Sequence, residues 1–88
     1  ARTAETVESR QAVTALERRA EAAEAAEAAV ATARAEYDLS KTLADRQEKL
    51  FSTGDVPRQS RDIAAARLQT AEANLRLAEK QRDAAAAE

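Results

Sequence analysis

Apolar and polar positions alternate along this chain with a seven-residue period that is interrupted at one place. In the first half, one apolar track contains Leu16, Ala23, Val30, Tyr37, Ala44 and Phe51. In the second half, one track contains Ala64, Ala71, Ala78 and Ala85, and another contains Leu68, Leu75 and Arg82. A seven-residue repeat is typical of helices that pack along one another as a left-handed coiled coil.

A second track in the first half is expected to complete the seam of that helix. Its members are Ala15, Ala22, Ala29, Glu36, Leu43 and Leu50. The segment Ala20 to Ala35 is rich in Ala and Glu and has few large side chains. Because small side chains bury little apolar surface, we expect this segment to be the least well packed stretch of the hairpin.

The interruption contains the one Gly and the one Pro of the chain, Gly54 and Pro57. Gly54 suits the left-handed backbone conformation that often ends a helix. Asp55 is expected to accept hydrogen bonds from the free amides of the next helix, and Pro57 is tolerated in a first helical turn. The sequence therefore predicts a helix stop followed at once by a helix start.

The predicted fold is all-α, a long antiparallel two-helix coiled-coil hairpin that forms a single domain over residues 1–88. The first helix spans about 2–53, the tight turn about 54–56 and the second helix about 57–87. In this register Tyr37 faces about residue 73 and Val30 faces about residue 80. Residues before about 22 then have no facing partner within the chain, so Val7, Val13 and Leu16 are expected to pack on something else.

The composition provides few residues that could carry catalysis or bind a metal or nucleic acid. There is no His and no Cys, aromatic residues make up 2% of the chain, and charged residues make up 34% with a net charge of −2. The chain also lacks a Gly-rich phosphate loop, a basic stripe with interleaved aromatic residues, and an apolar run of membrane-spanning length. Glu21, Glu24 and Glu27 are interpreted as a solvated acidic face, because one straight helix does not bring carboxylates together around a cation. We therefore expect no enzyme activity, no cofactor, no metal and no nucleic-acid binding.

Charged and amide groups are concentrated around the turn, where Leu50, Phe51 and Val56 lie among them. One interpretation is a solvated loop with helix-capping residues. The other is a docking tip, because loops held by a rigid scaffold often carry function.

The residues around the turn resemble the hairpin tip of periplasmic adaptor proteins, also called membrane fusion proteins, of tripartite efflux pumps and type I secretion systems. The residues that fit the family pattern are Arg46, Leu50, Gly54, Val56, Arg58, Gln59 and Asp62. The resemblance implies that Arg46 and Leu50 contact a TolC-like outer-membrane channel. Pro57 occupies the position of the family's third contact, a Ser, and cannot supply its hydroxyl. The implied partner-binding residues are Arg46, Leu50, Phe51, Gly54, Asp55, Val56, Pro57 and Arg58.

The same resemblance implies a location and further partners. The full-length protein would lie in the periplasm, associated with the inner membrane, and would form a homo-oligomeric ring, expected to be a hexamer. It would reach an inner-membrane transporter of the ABC, MFS or RND class through lipoyl-like and β-barrel domains. This chain contains neither domain and would then be a fragment of a larger adaptor.

Two other classes of function remain open. One is a generic coiled-coil spacer or oligomerisation hairpin, natural or designed. The other is the RNA-binding arm of an enzyme such as a seryl-tRNA synthetase, which would be expected to carry a basic face. Residues 37–67 contain six basic and five acidic side chains, which does not favour the RNA-binding alternative.

Overall fold

In the computed structural model, the chain forms two antiparallel α-helices joined by a short turn. The structure describes residues 2–87, with side chains described for 6–87. Helix α1 is Arg2–Ser52 and helix α2 is Arg58–Ala87. The described part of the chain has no strand and extends over 79 × 14 × 14 Å. The predicted all-α hairpin is therefore confirmed, with both inner helix ends within one residue of their predicted positions.

The two helices meet along a seam whose members alternate at spacings of three and four residues. Both predicted α2 tracks are buried or half-buried, and so is the first α1 track except for Leu16, which is 61% exposed. On α1, the seam residues of the paired region are Ala23, Ala26, Val30, Ala33, Tyr37, Ser40, Ala44, Gln47, Leu50 and Phe51. This alternation is the coiled-coil pattern that the sequence predicted.

The second predicted α1 track was wrong. Its members are exposed except Leu50, which is half-buried. Its place in the seam is taken by small or polar residues: Ala26, Ala33, Ser40 and Gln47. The physical reason is the helical repeat: the predicted track lies one residue before the first track and so falls on the flank, whereas positions three residues after the first track face α2. The larger Leu43 is displaced to the flank of the seam.

The best-packed part of the hairpin also differs from expectation. Val30 and Ala33 of α1 form a buried cluster with Leu75 and Ala78 of α2, and Tyr37 packs against it. The predicted poorly packed segment thus contains part of the core at its C-terminal end, and the prediction was wrong there. In this cluster two large aliphatic side chains lie among two alanines, so the layer fills without separating the helices.

Ion pairs between the helices mark the register. Glu27 pairs with Arg82 at 3.9 Å, Arg34 with Glu79 at 3.5 Å, and Glu48 with Arg61 at 3.8 Å. These pairs are partly exposed, and each contributes at most about 1 kcal/mol. Their positions agree with the predicted facing of the region around Val30 with the region around residue 80.

The N-terminal part of α1 extends beyond α2, because α2 ends five residues after the Glu27–Arg82 pair. Here we call residues 7–22 the overhang. Val7, Val13 and Leu16 are 47%, 52% and 61% exposed in it, as the register predicted. Residues 1–5, which the same prediction covered, lie outside the described side chains.

Enlarging a seam alanine tests the close approach of the helices. Ala78 is 7% exposed, so Ala78→Leu should force the backbones apart and lower the free energy of unfolding by about 1–3 kcal/mol. The measurement is urea unfolding followed by circular dichroism. The control, Ala73→Leu, lies on the exposed surface of the same helix and should change stability by no more than about 0.5 kcal/mol. Equal effects of the two substitutions would contradict this packing.

Candidate partner-binding site at the hairpin tip

Helix α1 ends in a left-handed turn at Gly54. Its φ is +79°, its amide donates to the Phe51 carbonyl at 3.0 Å, and the Asp55 amide donates to the Leu50 carbonyl at 2.8 Å. These two bonds form a Schellman motif, which satisfies carbonyl groups at the end of a helix. The conformation predicted for Gly54 is confirmed.

Hydroxyl groups hold the rest of the turn. Thr53 Oγ1 donates to Asp55 Oδ2 at 2.6 Å, and Ser52 Oγ donates to the Lys49 carbonyl at 2.8 Å. The expectation that Asp55 caps α2 was wrong, because its carboxylate is turned back toward the end of α1. The first turn of α2 instead begins with the Pro57 carbonyl, which accepts a hydrogen bond from the Ser60 amide at 3.1 Å.

Arg61 joins the two helices directly behind the turn. Its guanidinium lies 4.5 Å from the centroid of the Phe51 ring, in a cation–π arrangement. It also pairs with Glu48 at 3.8 Å and with Asp62 at 3.1 Å. Phe51 is therefore half-buried against α2 and serves as part of the rigid base of the tip.

Arg61 was not among the site residues that the sequence indicated. A signal was present, because Arg61 precedes Ala64 by three residues and so continues the alternating seam of α2. A charged residue at a seam position indicates a partner on the facing helix.

The other predicted tip residues form an exposed surface around this base. Arg46 is exposed and makes no ion pair with any side chain that the structure describes. Leu50 follows one helical turn later on α1 and is half-buried. Val56 is half-buried in the turn, while Pro57 and Arg58 are exposed. The structure therefore places the eight predicted residues at one end of the rod.

This end of the rod combines charged and apolar groups. It offers exposed guanidinium groups beside half-buried aliphatic side chains, which suits a partner with carboxylate or carbonyl groups near apolar ones. Among the described residues, no three acidic side chains converge in a way that could hold a metal ion. Within the same residues, neither helix combines the length and the apolar content needed to span a membrane.

Comparison with known proteins identifies no family. No family model matches the chain, and neither curated proteins nor solved structures give a match.

Substitution of Gly54 tests the turn. A Cβ atom at this position would meet no other atom within 4 Å, so a substitution there is opposed by the positive φ alone. Gly54→Val should lower the free energy of unfolding by about 1–2 kcal/mol, because branched side chains disfavour the left-handed conformation. Thermal unfolding measures the effect. Gly54→Asn is the control and should cost clearly less, since Asn tolerates positive φ. An unchanged melting temperature for the Val variant would show that this turn conformation is not retained in solution.

Proposed function

We propose that this hairpin is the docking arm of a periplasmic adaptor, which binds through its tip to a TolC-like outer-membrane channel. The observation that carries the proposal is the position of Arg46 one helical turn from Leu50 at the tip. An exposed guanidinium without an ion-pair partner among the described residues lies one turn from an aliphatic side chain, at the end of a rod 79 Å long. This placement matches the role that the resemblance implies for both residues.

The electrostatics of the hairpin leave Arg46 available for binding, a property that it shares with Arg58 at the same tip. Arg34, Arg61, Arg76 and Arg82 each have a carboxylate partner within 4 Å. Recruiting one of them to a partner protein would first break an existing pair. Arg46 would lose only hydrogen bonds to water on binding. A hydrogen bond from it to a carboxylate or carbonyl group of the channel would therefore contribute more to the binding free energy.

The remaining parts of the proposal follow from the adaptor role. In the full-length protein the arm would lie in the periplasm, in a homo-oligomeric ring linked by other domains to an inner-membrane transporter. A rigid tip suits this role, because Gly54 and Arg61 fix the turn before binding and little conformational entropy is then lost. The exposed Pro57 would contact the channel through its ring, without the hydrogen bond that a Ser would donate.

Reversing the charge of Arg46 tests the proposal. The chain would be displayed in several copies on a ring-shaped carrier, since multivalency raises a weak tip affinity into a measurable range. Binding to an immobilised TolC-like channel tip would be measured by surface plasmon resonance. Arg46→Asp should reduce binding by at least about a hundredfold, since it removes a charge-assisted contact and introduces a repulsive one.

The matched control is Arg18→Asp. Arg18 is exposed on the same helix, about 42 Å from Arg46, and its substitution should leave binding unchanged. Circular dichroism should show the same helicity for both variants. Equal binding by Arg46→Asp and the unchanged chain would contradict tip docking. Absence of binding by every variant would favour the spacer alternative, and salt-dependent binding to transfer RNA would favour the RNA-binding arm.

A further inference from the structure

One side of the hairpin carries a groove between the helices close to the tip, here called the lateral groove. Its aliphatic rim consists of Leu39, Leu43 and Ile63, which are 60%, 39% and 45% exposed. Two adjoining hollows of about 340 and 500 Å³ form the groove, and on α2 they border only residues 60–74. At 1.5 Å per residue, the groove is therefore about 21 Å long.

The rim of the groove continues into the proposed docking tip. One stripe along α1 has members at spacings of four, three and four residues, namely Leu39, Leu43, Arg46 and Leu50. The first two line the groove, and the other two are the residues on which the proposed tip contact depends. A partner that binds Arg46 and Leu50 therefore meets the groove next along the same face of α1.

The floor of the groove contains a polar atom that lacks a partner. Gln47 lines the hollow nearer the tip, and its side chain belongs to the seam. Its Oε1 atom is buried and accepts no hydrogen bond from any residue that the structure describes. A buried acceptor without a donor is energetically costly. A donor on a molecule in the groove would remove this cost after rotation of the half-buried Gln47 side chain.

The charges around the groove indicate the chemistry of its occupant. Arg67 lines both hollows and, like Arg46 on the stripe, makes no ion pair with any side chain that the structure describes. Glu36 is the acidic residue of the lining, and it lies at the end of the groove away from the tip. The complementary occupant carries aliphatic side chains for the rim and a carboxylate for Arg67.

We propose that the lateral groove binds an amphipathic α-helix of the same channel that the tip binds. The docking surface then extends about 17 Å along the shaft, from Leu50 to Leu39. This inference rests on the proposed function, because the occupant belongs to the partner named there. A groove between two helices has the shape of a third helix, and an amphipathic helix in an apolar groove is a common mode of recognition.

The size of the groove favours a segment of the tip's own partner over a separate protein. A helix about 10 Å across that lies along about 21 Å of groove covers about 200 Å² of the hairpin. Specific complexes bury about 800 Å² per partner, so the groove is too small to hold a separate protein by itself. It can strengthen a contact that the tip already makes, because the helix is then held beside the groove at a high effective concentration.

The position of the groove is compatible with the homo-oligomeric ring of the proposed function. The groove takes up one side of the rod close to the tip. None of the residues that form ion pairs between the helices lines it. Neighbouring copies can therefore pack against the rest of the shaft without competing with the channel for the groove.

Surface plasmon resonance with the ring-displayed chain and the immobilised channel tip tests this inference. Ile63→Glu should weaken binding by about tenfold or more, because it places a carboxylate in the aliphatic rim. The matched control is Leu77→Glu. Leu77 lies two heptad repeats later on the same face of α2, is 55% exposed and does not line the groove, so its substitution should leave binding unchanged.

A second variant, Arg67→Glu, tests the charge of the groove. Arg67 is exposed and has no ion-pair partner among the described residues, so its substitution disturbs no contact within the hairpin. Binding should weaken by about tenfold or more, because the new carboxylate repels the carboxylate of the occupant. Circular dichroism shows whether each variant keeps its helices. If Ile63→Glu loses helicity, Arg67→Glu decides the test.

The outcomes separate this inference from the proposed function. If Arg46→Asp weakens binding while Ile63→Glu and Arg67→Glu bind as tightly as the unchanged chain, the groove proposal is overturned and docking through the tip stands. Equal weakening by Leu77→Glu and Ile63→Glu would also overturn it, because the effect would not then depend on the groove. No binding by the unchanged chain would contradict the proposed function and this inference together.

Discussion

The close approach of the two helices is the constraint on which the other features of this hairpin depend. A row of alanines on α2 faces a seam on α1 that is itself rich in small residues, so few large side chains are available to fill a core. Val30 and Leu75 are the aliphatic residues buried at the centre, and alanines complete their layers. Close packing gains dispersion energy from many weak contacts. Such a seam stabilises a long thin rod, whereas it could not stabilise a globule.

The narrow seam also determines which side chains lie on its two flanks. Because the positions nearest the partner helix are taken by small residues, the larger aliphatic and charged side chains lie beside the seam. On one flank the charged residues of α1 reach across to α2 and form ion pairs with it. On the other flank Leu39, Leu43 and Ile63 remain partly exposed around a groove. The same packing rule therefore produces an ion-paired surface and an aliphatic surface on one rod.

The sequence predicted the path of the backbone well and the side-chain environment less well. The helices and the turn follow from local signals, namely helix propensity, a seven-residue repeat and the paired Gly54 and Pro57, which need no knowledge of tertiary contacts. Leu43 and Asp55 depend on those contacts. Leu43 belongs to an apolar track but lies outside the seam, because it directly precedes the seam residue Ala44 and therefore falls beside the helix–helix contact. Asp55 resembles a helix cap but accepts a hydrogen bond from Thr53 instead, because the Schellman turn brings that hydroxyl within 2.6 Å.

The eight tip residues remain predicted partner contacts, and the sequence did not indicate Arg61, which joins the two helices behind them. Arg61 was missed because its seam position indicates only that a partner exists on the facing helix, whereas the identity of that partner depends on the register of the two helices. Its contacts with Phe51 and Glu48 tie the end of α1 to the start of α2. An arginine held in this way gives rigidity, while an exposed arginine such as Arg46 keeps its hydrogen-bonding capacity for another molecule. Other exposed arginines, among them Arg18 and Arg67, also make no ion pair with a described side chain, so what sets Arg46 apart is its position beside the fixed turn.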